Sequence, residues 1–121
     1  MATTARVISK IPSAPNRAWA VSWSTMANGD SGEPLQNPGS ADRSVQVTGT
    51  FGVGGTVVLQ GSNDGTNYRT LTDPQGNALS FTAAAIEAVQ EITRYTRPSV
   101  TGGDGTTSLT VTLVVTGNHL G

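Results

Sequence analysis

Few residues in this sequence could do chemistry. There is one histidine, His119, two positions before the last residue, and no cysteine. Thiol catalysis, cysteine-ligated zinc and disulfides are excluded, so any metal site would be all-oxygen. A histidine so close to the chain end is expected to fray and not to act as a catalytic base. Asn63-Asp64-Gly65 and Gly103-Asp104-Gly105 place an acid beside glycine, as calcium loops do. Calcium asks for roughly six to eight converging oxygens, and neither run has a second acid beside it. Both read as tight turns in which the Asp-Gly step supplies positive φ. Glu87 and Glu91 are the one close acidic pair. A glycosidase sets its two carboxylates across a cleft, one of them in an apolar pocket, and two acids on one element do not offer that. Arg94 and Arg97 bracket Tyr95, as an anion or sugar contact or, the favoured reading, as ion-pair partners of Glu87 or Glu91. Gly52-Val53-Gly54-Gly55 lacks the Lys-Ser/Thr of a phosphate loop and precedes a strand. No catalytic, metal or cofactor residue is assigned, and the chain is expected not to be an enzyme.

Composition narrows the partners. The 121 residues carry 12% charged side chains, seven basic against eight acidic, for a net charge of −1. That is about half the usual charged fraction. Thr (18), Gly (15) and Ser (11) stand in for the missing charge. Nucleic acid is not expected as a partner, because no basic footprint is present. Nor is a membrane: the longest strongly apolar run, Leu109–Val115, is far short of the roughly 20 residues a spanning helix needs. The first ten residues lack the apolar stretch of a secretory signal.

The elements that would position these side chains are mostly strands. Residues 1–16 carry two prolines and no sustained period, and read as an extended N-terminal arm. One domain is expected over 17–121. Within Arg17–Thr25, Trp19, Val21 and Trp23 alternate with small residues, the period of a strand with one apolar face. Ala27–Asp42 is rich in Gly, Asn, Asp, Pro and Ser and reads as a long loop suited to partner contacts. Strands follow at Ser44–Phe51, Thr56–Gly61, Tyr68–Thr72, Ala78–Thr82 and Ser108–Thr116, punctuated by turns at 52–55, 62–67, 73–77 and 101–106. Over Ala83–Ile92 both periods fit. One helical turn near Ala83–Glu87, capped by Thr82, is expected to lead into a strand ending at Tyr95-Thr96-Arg97-Pro98. Seven or eight short strands between glycine turns point to an all-β, antiparallel β-sandwich or barrel.

Three runs are distinctive in combination: Leu59-Gln60-Gly61-Ser62-Asn63-Asp64-Gly65-Thr66-Asn67-Tyr68, then Arg94-Tyr95-Thr96-Arg97-Pro98, then Gly103-Asp104-Gly105-Thr106-Thr107. Together they resemble the discoidin or galactose-binding-like jelly rolls. More closely, they resemble small structural proteins encoded in the head-gene regions of tailed bacteriophages, which include capsid decoration (cement) proteins. The resemblance spans Val45–Val115 and rests mainly on turn residues; the N-terminal third matches neither group. It implies a jelly-roll-like sandwich, a homotrimer, and a place on the capsid exterior bridging neighbouring subunits of the major capsid protein. Such a virion protein would be made in the host bacterial cytoplasm. The sugar-binding residues of the jelly rolls have no counterparts to carry over.

Candidate capsid or subunit contacts are Arg6, Lys10 and Arg17 on and beside the arm, and Leu35 in the long loop. Candidate surface contacts are Tyr68, Tyr95 and Arg97. The uncharged β-branched strands Thr56–Gln60 and Leu109–Thr116 would be prone to edge pairing unless buried mid-sheet or against a sister subunit. The competing function is a carbohydrate-binding module for host attachment. It would use Tyr68 and Tyr95, since Trp19, Trp23 and Phe51 alternate into the core.

Overall fold

The computed structural model describes residues 2–12, 18–36 and 40–117. Alternation of apolar and polar side chains governs them, and no helix forms among them. Twelve strands follow in chain order: β1 (Thr3–Thr4), β2 (Val7–Lys10), β3 (Ala18–Met26), β4 (Ser31–Gly32), β5 (Leu35–Gln36), β6 (Ser40–Thr50), β7 (Thr56–Ser62), β8 (Arg69–Thr70), β9 (Ser80–Phe81), β10 (Ala85–Ala88), β11 (Tyr95–Gly102) and β12 (Ser108–Gly117). One sheet has the order β10-β6-β12-β3-β2. The other has the path β1-β4-β11-β7-β8, with β5 also on β11 and β9 also on β7. Every pairing is antiparallel except β1 with β4. The two sheets enclose one core, and the result is the expected β-sandwich with open edges.

The core follows from period 2. Leu109, Val111, Leu113 and Val115 of β12 meet Trp19, Val21, Trp23 and Met26 of β3 and Val45 and Val47 of β6. Val57, Leu59, Val100, Leu71, Leu79 and Phe81 face them from the other side. Trp23 is fully buried, and its indole N–H donates to the Glu33 carbonyl at 2.9 Å. The alternation in β3 slips once. Leu109 pairs with Met26, but Val111 pairs with Trp23. This inserts a residue on β3, where Thr25 adopts φ 58°, and the bulge returns Met26 to the core face.

Three regions depart from expectation. No helical turn forms at Ala83–Glu87. Ala85–Ala88 instead pairs with Val47–Ser44 as the edge strand β10, because hydrogen bonding to an open sheet edge outweighs a weak local helical preference. The 27–42 segment is not one loop. Ser31 pairs with Ser99, and Leu35 and Gln36 pair with Thr96 and Tyr95, in strands too short to show a period. The described part of the arm, residues 2–12, is extended but not detached. Val7–Lys10 pairs with Ser22–Trp19, and Thr3 and Thr4 pair with Ser31 and Gly32, so the arm lies along the edges of both sheets.

Gly49, at φ 115°, sits opposite Leu109. A Cβ there would collide with the Ser108 carbonyl oxygen. Gly49→Ala should therefore destabilise by about 1–3 kcal/mol through backbone strain. Trp23→Ala should lose about 4 kcal/mol by leaving a cavity. Urea denaturation midpoints check both, and a Gly49→Ala midpoint equal to wild type would refute the strain.

Candidate functional site

The outer face of the seven-stranded sheet collects the side chains singled out for surface contact. Thr96, Pro98 and Val100 of β11 point inward, so Tyr95 and Arg97 point outward, each half-buried. Gln60 pairs with Arg97 across the ladder, and its Oε1 accepts a hydrogen bond from Arg97 Nε at 3.1 Å. Tyr68 lies under the same guanidinium, 3.8 Å from its ring centroid to Arg97 Cζ. Arg94 lies over the Tyr95 ring at 5.1 Å. The structure thus brings Tyr68, Tyr95 and Arg97 to one surface.

The turn that delivers Tyr68 is built on Asp64. Its carboxylate accepts the backbone N–H groups of Thr66 (2.9 Å) and Asn67 (2.8 Å), the Asn67 amide and the Ser62 hydroxyl. Gly65, at φ 78°, packs against the Tyr95 ring, where a Cβ would stand 3.2 Å from a ring carbon. Asp104 performs the same task at the other end of the fold. It accepts from the Thr106 hydroxyl and N–H, and from the Val53 N–H across to the neighbouring turn. There the positive φ belongs to Gly103 (142°) and not to Gly105, so the Asp-Gly reading holds at 64–65 and fails at 104–105. Asp73 is used likewise, accepting from Gln75 and Asn77 N–H. Among the described residues no three His, Asp or Glu side chains converge as a metal site.

The expected ion pairs of Arg94 and Arg97 with Glu87 or Glu91 do not form among the described residues. Glu87 is exposed. Glu91 takes the Thr72 N–H at 2.8 Å and the Thr72 hydroxyl. The cation that Glu91 faces is Arg43, which is only 6% exposed. Arg43 Nη1 donates to Thr96 Oγ1 at 2.6 Å and Nη2 donates to the Glu91 carbonyl oxygen. This ties β6 in one sheet to β11 in the other. Burial pushes the Arg43 pKa down, and the Glu91 charge partly restores it. For Glu91, burial acts upward, but the Thr72 hydrogen bonds and Arg43 outweigh it and hold the pKa below its usual value. The signal for Arg43 was present, since it shares the period of Val45 and Val47.

The other contact candidates are dispersed. Arg6 is ion-paired with Glu33, and its N–H also donates to Glu33 Oε1 at 3.2 Å. Lys10 is exposed at the end of β2. Leu35 is a core residue, 4% exposed. It is corrected from a surface contact to a packing residue, because pairing with Thr96 turns it inward. Arg17 and His119 lie outside the described residues.

Arg43→Ala loses the hydrogen bonds to Thr96 and the Glu91 carbonyl and also leaves a cavity, so it should cost about 3 kcal/mol, whereas Arg43→Met loses the same bonds but fills the volume and should cost about 1 kcal/mol. Equal losses in chemical denaturation would refute that reading. The turn acids give a pH dependence. Hydrogen bonds from Asn67 and Thr66 hold Asp64 well below the usual carboxylate range, and those from Thr106 and Val53 bring Asp104 to about 2. Both folded values lie below the unfolded value near 3.9. The stability they contribute is complete above about pH 4 to 5 and falls away as the pH drops toward 2. Melting temperature followed by circular dichroism should fall across that window. A double Asp64→Asn, Asp104→Asn variant should melt lower at pH 7 and show a flatter acid limb.

No family model and no curated protein matches the chain. Among solved structures it is similar to the SPBc2 prophage-derived protein YomS, with TM-score 0.60 and 13% identity over 81% of this chain and 93% of that one. Weaker matches include KdgF from Halomonas sp., with TM-score 0.44 and 17% identity over 92% of this chain and 76% of that one. Peruvianin-I, a cysteine peptidase from Thevetia peruviana latex, gives TM-score 0.45 and 12% identity over 96% of this chain and 64% of that one. At these identities the likeness to YomS is one of fold.

Proposed function

We propose that this chain is a virion structural protein that decorates the outside of a tailed-phage capsid, assembling as a trimer that bridges neighbouring major capsid protein subunits. One observation carries the proposal: the outer face of the five-stranded sheet is almost uncharged. Register places Ile86, Gln46, Thr112, Ser22 and Val7 in one row across it and Ala88, Ser44, Val114, Ala20 and Ser9 in the next. Asp42 lies beyond them, opposite Thr116. The two large apolar residues of the first row stand at its ends and are well exposed, Ile86 at 63% and Val7 at 60%. Five strands at their usual spacing make a face about 20 Å wide. A monomer ordinarily covers such a face with interspersed charge.

Edge protection, in contrast, does not call for a sister subunit. β7 lies between β11 and the β8/β9 edge, and β12 lies between β6 and β3, so both uncharged strands are paired within the chain. The fold shared with a prophage-derived protein adds weak support of its own.

Light scattering should give three times the 12.4 kDa chain mass, and purified protein should sediment with preformed capsids lacking it. Thr112→Lys, in the middle of the uncharged face, should shift the trimer to monomer by burying an unpaired charge, with the melting transition still cooperative. A wild-type monomer that ignores capsids would sink the proposal.

A further inference from the structure

Arg97 is held in a way that surface arginines rarely are. Its Cζ stands over the Tyr68 ring, 3.8 Å from the centroid, and its Nε is fixed by Gln60 Oε1 at 3.1 Å. The terminal nitrogens, the two that grip an oxyanion side by side, make no ion pair among the described residues. Every aspartate and glutamate of the sequence is among those residues. Ordering a long side chain costs rotamer entropy, and here folding has already met that cost, leaving a preorganised fork.

Two more arginines stand close by. Arg94 is over Tyr95, with its N–H on Asn63 Oδ1, and Arg69 donates to the Tyr68 carbonyl at 3.1 Å. The acid of the adjoining turn, Asp64, has both carboxylate oxygens engaged by Ser62, Thr66 and Asn67. One end of this sheet therefore carries Arg69, Arg94 and Arg97 against the single Asp64 carboxylate, an excess of positive charge in a chain of net charge −1. Around the fork stand hydrogen-bonding side chains. Gln60 and Asn63 use their carbonyl oxygens internally, which leaves their amide N–H groups as donors, and Gln36 pairs beside Tyr95.

We propose that Arg97, stacked on Tyr68 and flanked by Arg94, is a binding site for the carboxylate of an acidic saccharide. A planar carboxylate matches the guanidinium fork through two parallel hydrogen bonds, and the Gln60 and Asn63 amides suit ring hydroxyls. The site is independent of the capsid proposal, which rests on the opposite sheet.

The test is calorimetric titration of the full chain with an oligosaccharide of glucuronate residues, its neutral glucose counterpart, inorganic phosphate and a poly-glutamate peptide. The glucuronate oligomer should bind at least tenfold more tightly than each of the other three. Arg97→Lys keeps the charge but loses the fork, and should weaken that binding at least tenfold with an unchanged melting temperature and unchanged capsid sedimentation. Arg94→Gln, at an exposed position, should reduce the salt dependence of binding. Equal binding of the neutral oligomer, phosphate or poly-glutamate would overturn the assignment, as would wild-type affinity in Arg97→Lys or no binding of the glucuronate oligomer.

Discussion

The fold depends on β12 pairing on both sides at once. It joins β6 from Ser108↔Thr50 to Gly117↔Ser40 and β3 from Leu109↔Met26 to Thr116↔Ala18. In doing so it commits Leu109, Val111, Leu113 and Val115 to one face. Because side-chain direction alternates strictly, a slip of one residue would send all four to solvent and bring threonines inside. The two irregularities nearby serve that register. The bulge at Thr25 brings Met26 back inside, and Gly49 allows the close approach to Ser108 that a Cβ would block.

With the five-stranded sheet fixed, the second sheet has to be held over it, and most of its strands are two residues long. Such strands contribute little pairing of their own. What holds them is a set of side chains acting across the sandwich. Arg43 reaches from β6 to Thr96, and Trp23 reaches from β3 to the Glu33 carbonyl. Each satisfies a polar group where an unmade hydrogen bond would cost about 1–3 kcal/mol. The outward row of Tyr95 and Arg97 is the reverse side of this arrangement, since Thr96 and Pro98 between and beside them face in.

Long strands with a clear alternation were legible from residues alone: Trp19, Val21 and Trp23, then Val45 and Val47, then the β12 set. Glycine turns located the hairpins. The short strands β4, β5 and β10 were not legible, because two to four residues carry no period and their pairing is decided by the edge they meet. For the same reason Leu35 read as a loop contact and turned out to pack inside. Tyr68, Tyr95 and Arg97 were legible as surface residues, but their meeting was not. It depends on the β7–β11 register and on the Asp64 turn, neither of which spacing encodes.

The shortage of charge takes on a different meaning once each charge is placed. Asp64, Asp73 and Asp104 serve as acceptors inside their own turns, Asp30 caps the Ala27 and Ala2 N–H groups, Arg43 is buried against Thr96 and Glu91, and Arg6 is paired with Glu33. Much of an already small complement of charge is thus engaged in holding backbone or a partner side chain. What remains is not spread evenly. One sheet presents a small-residue face with almost no charge, and the other gathers Arg69, Arg94 and Arg97 at one end. A surface divided in this way, neutral on one side and cationic on part of the other, offers two chemically distinct faces, and a single type of partner would not suit both.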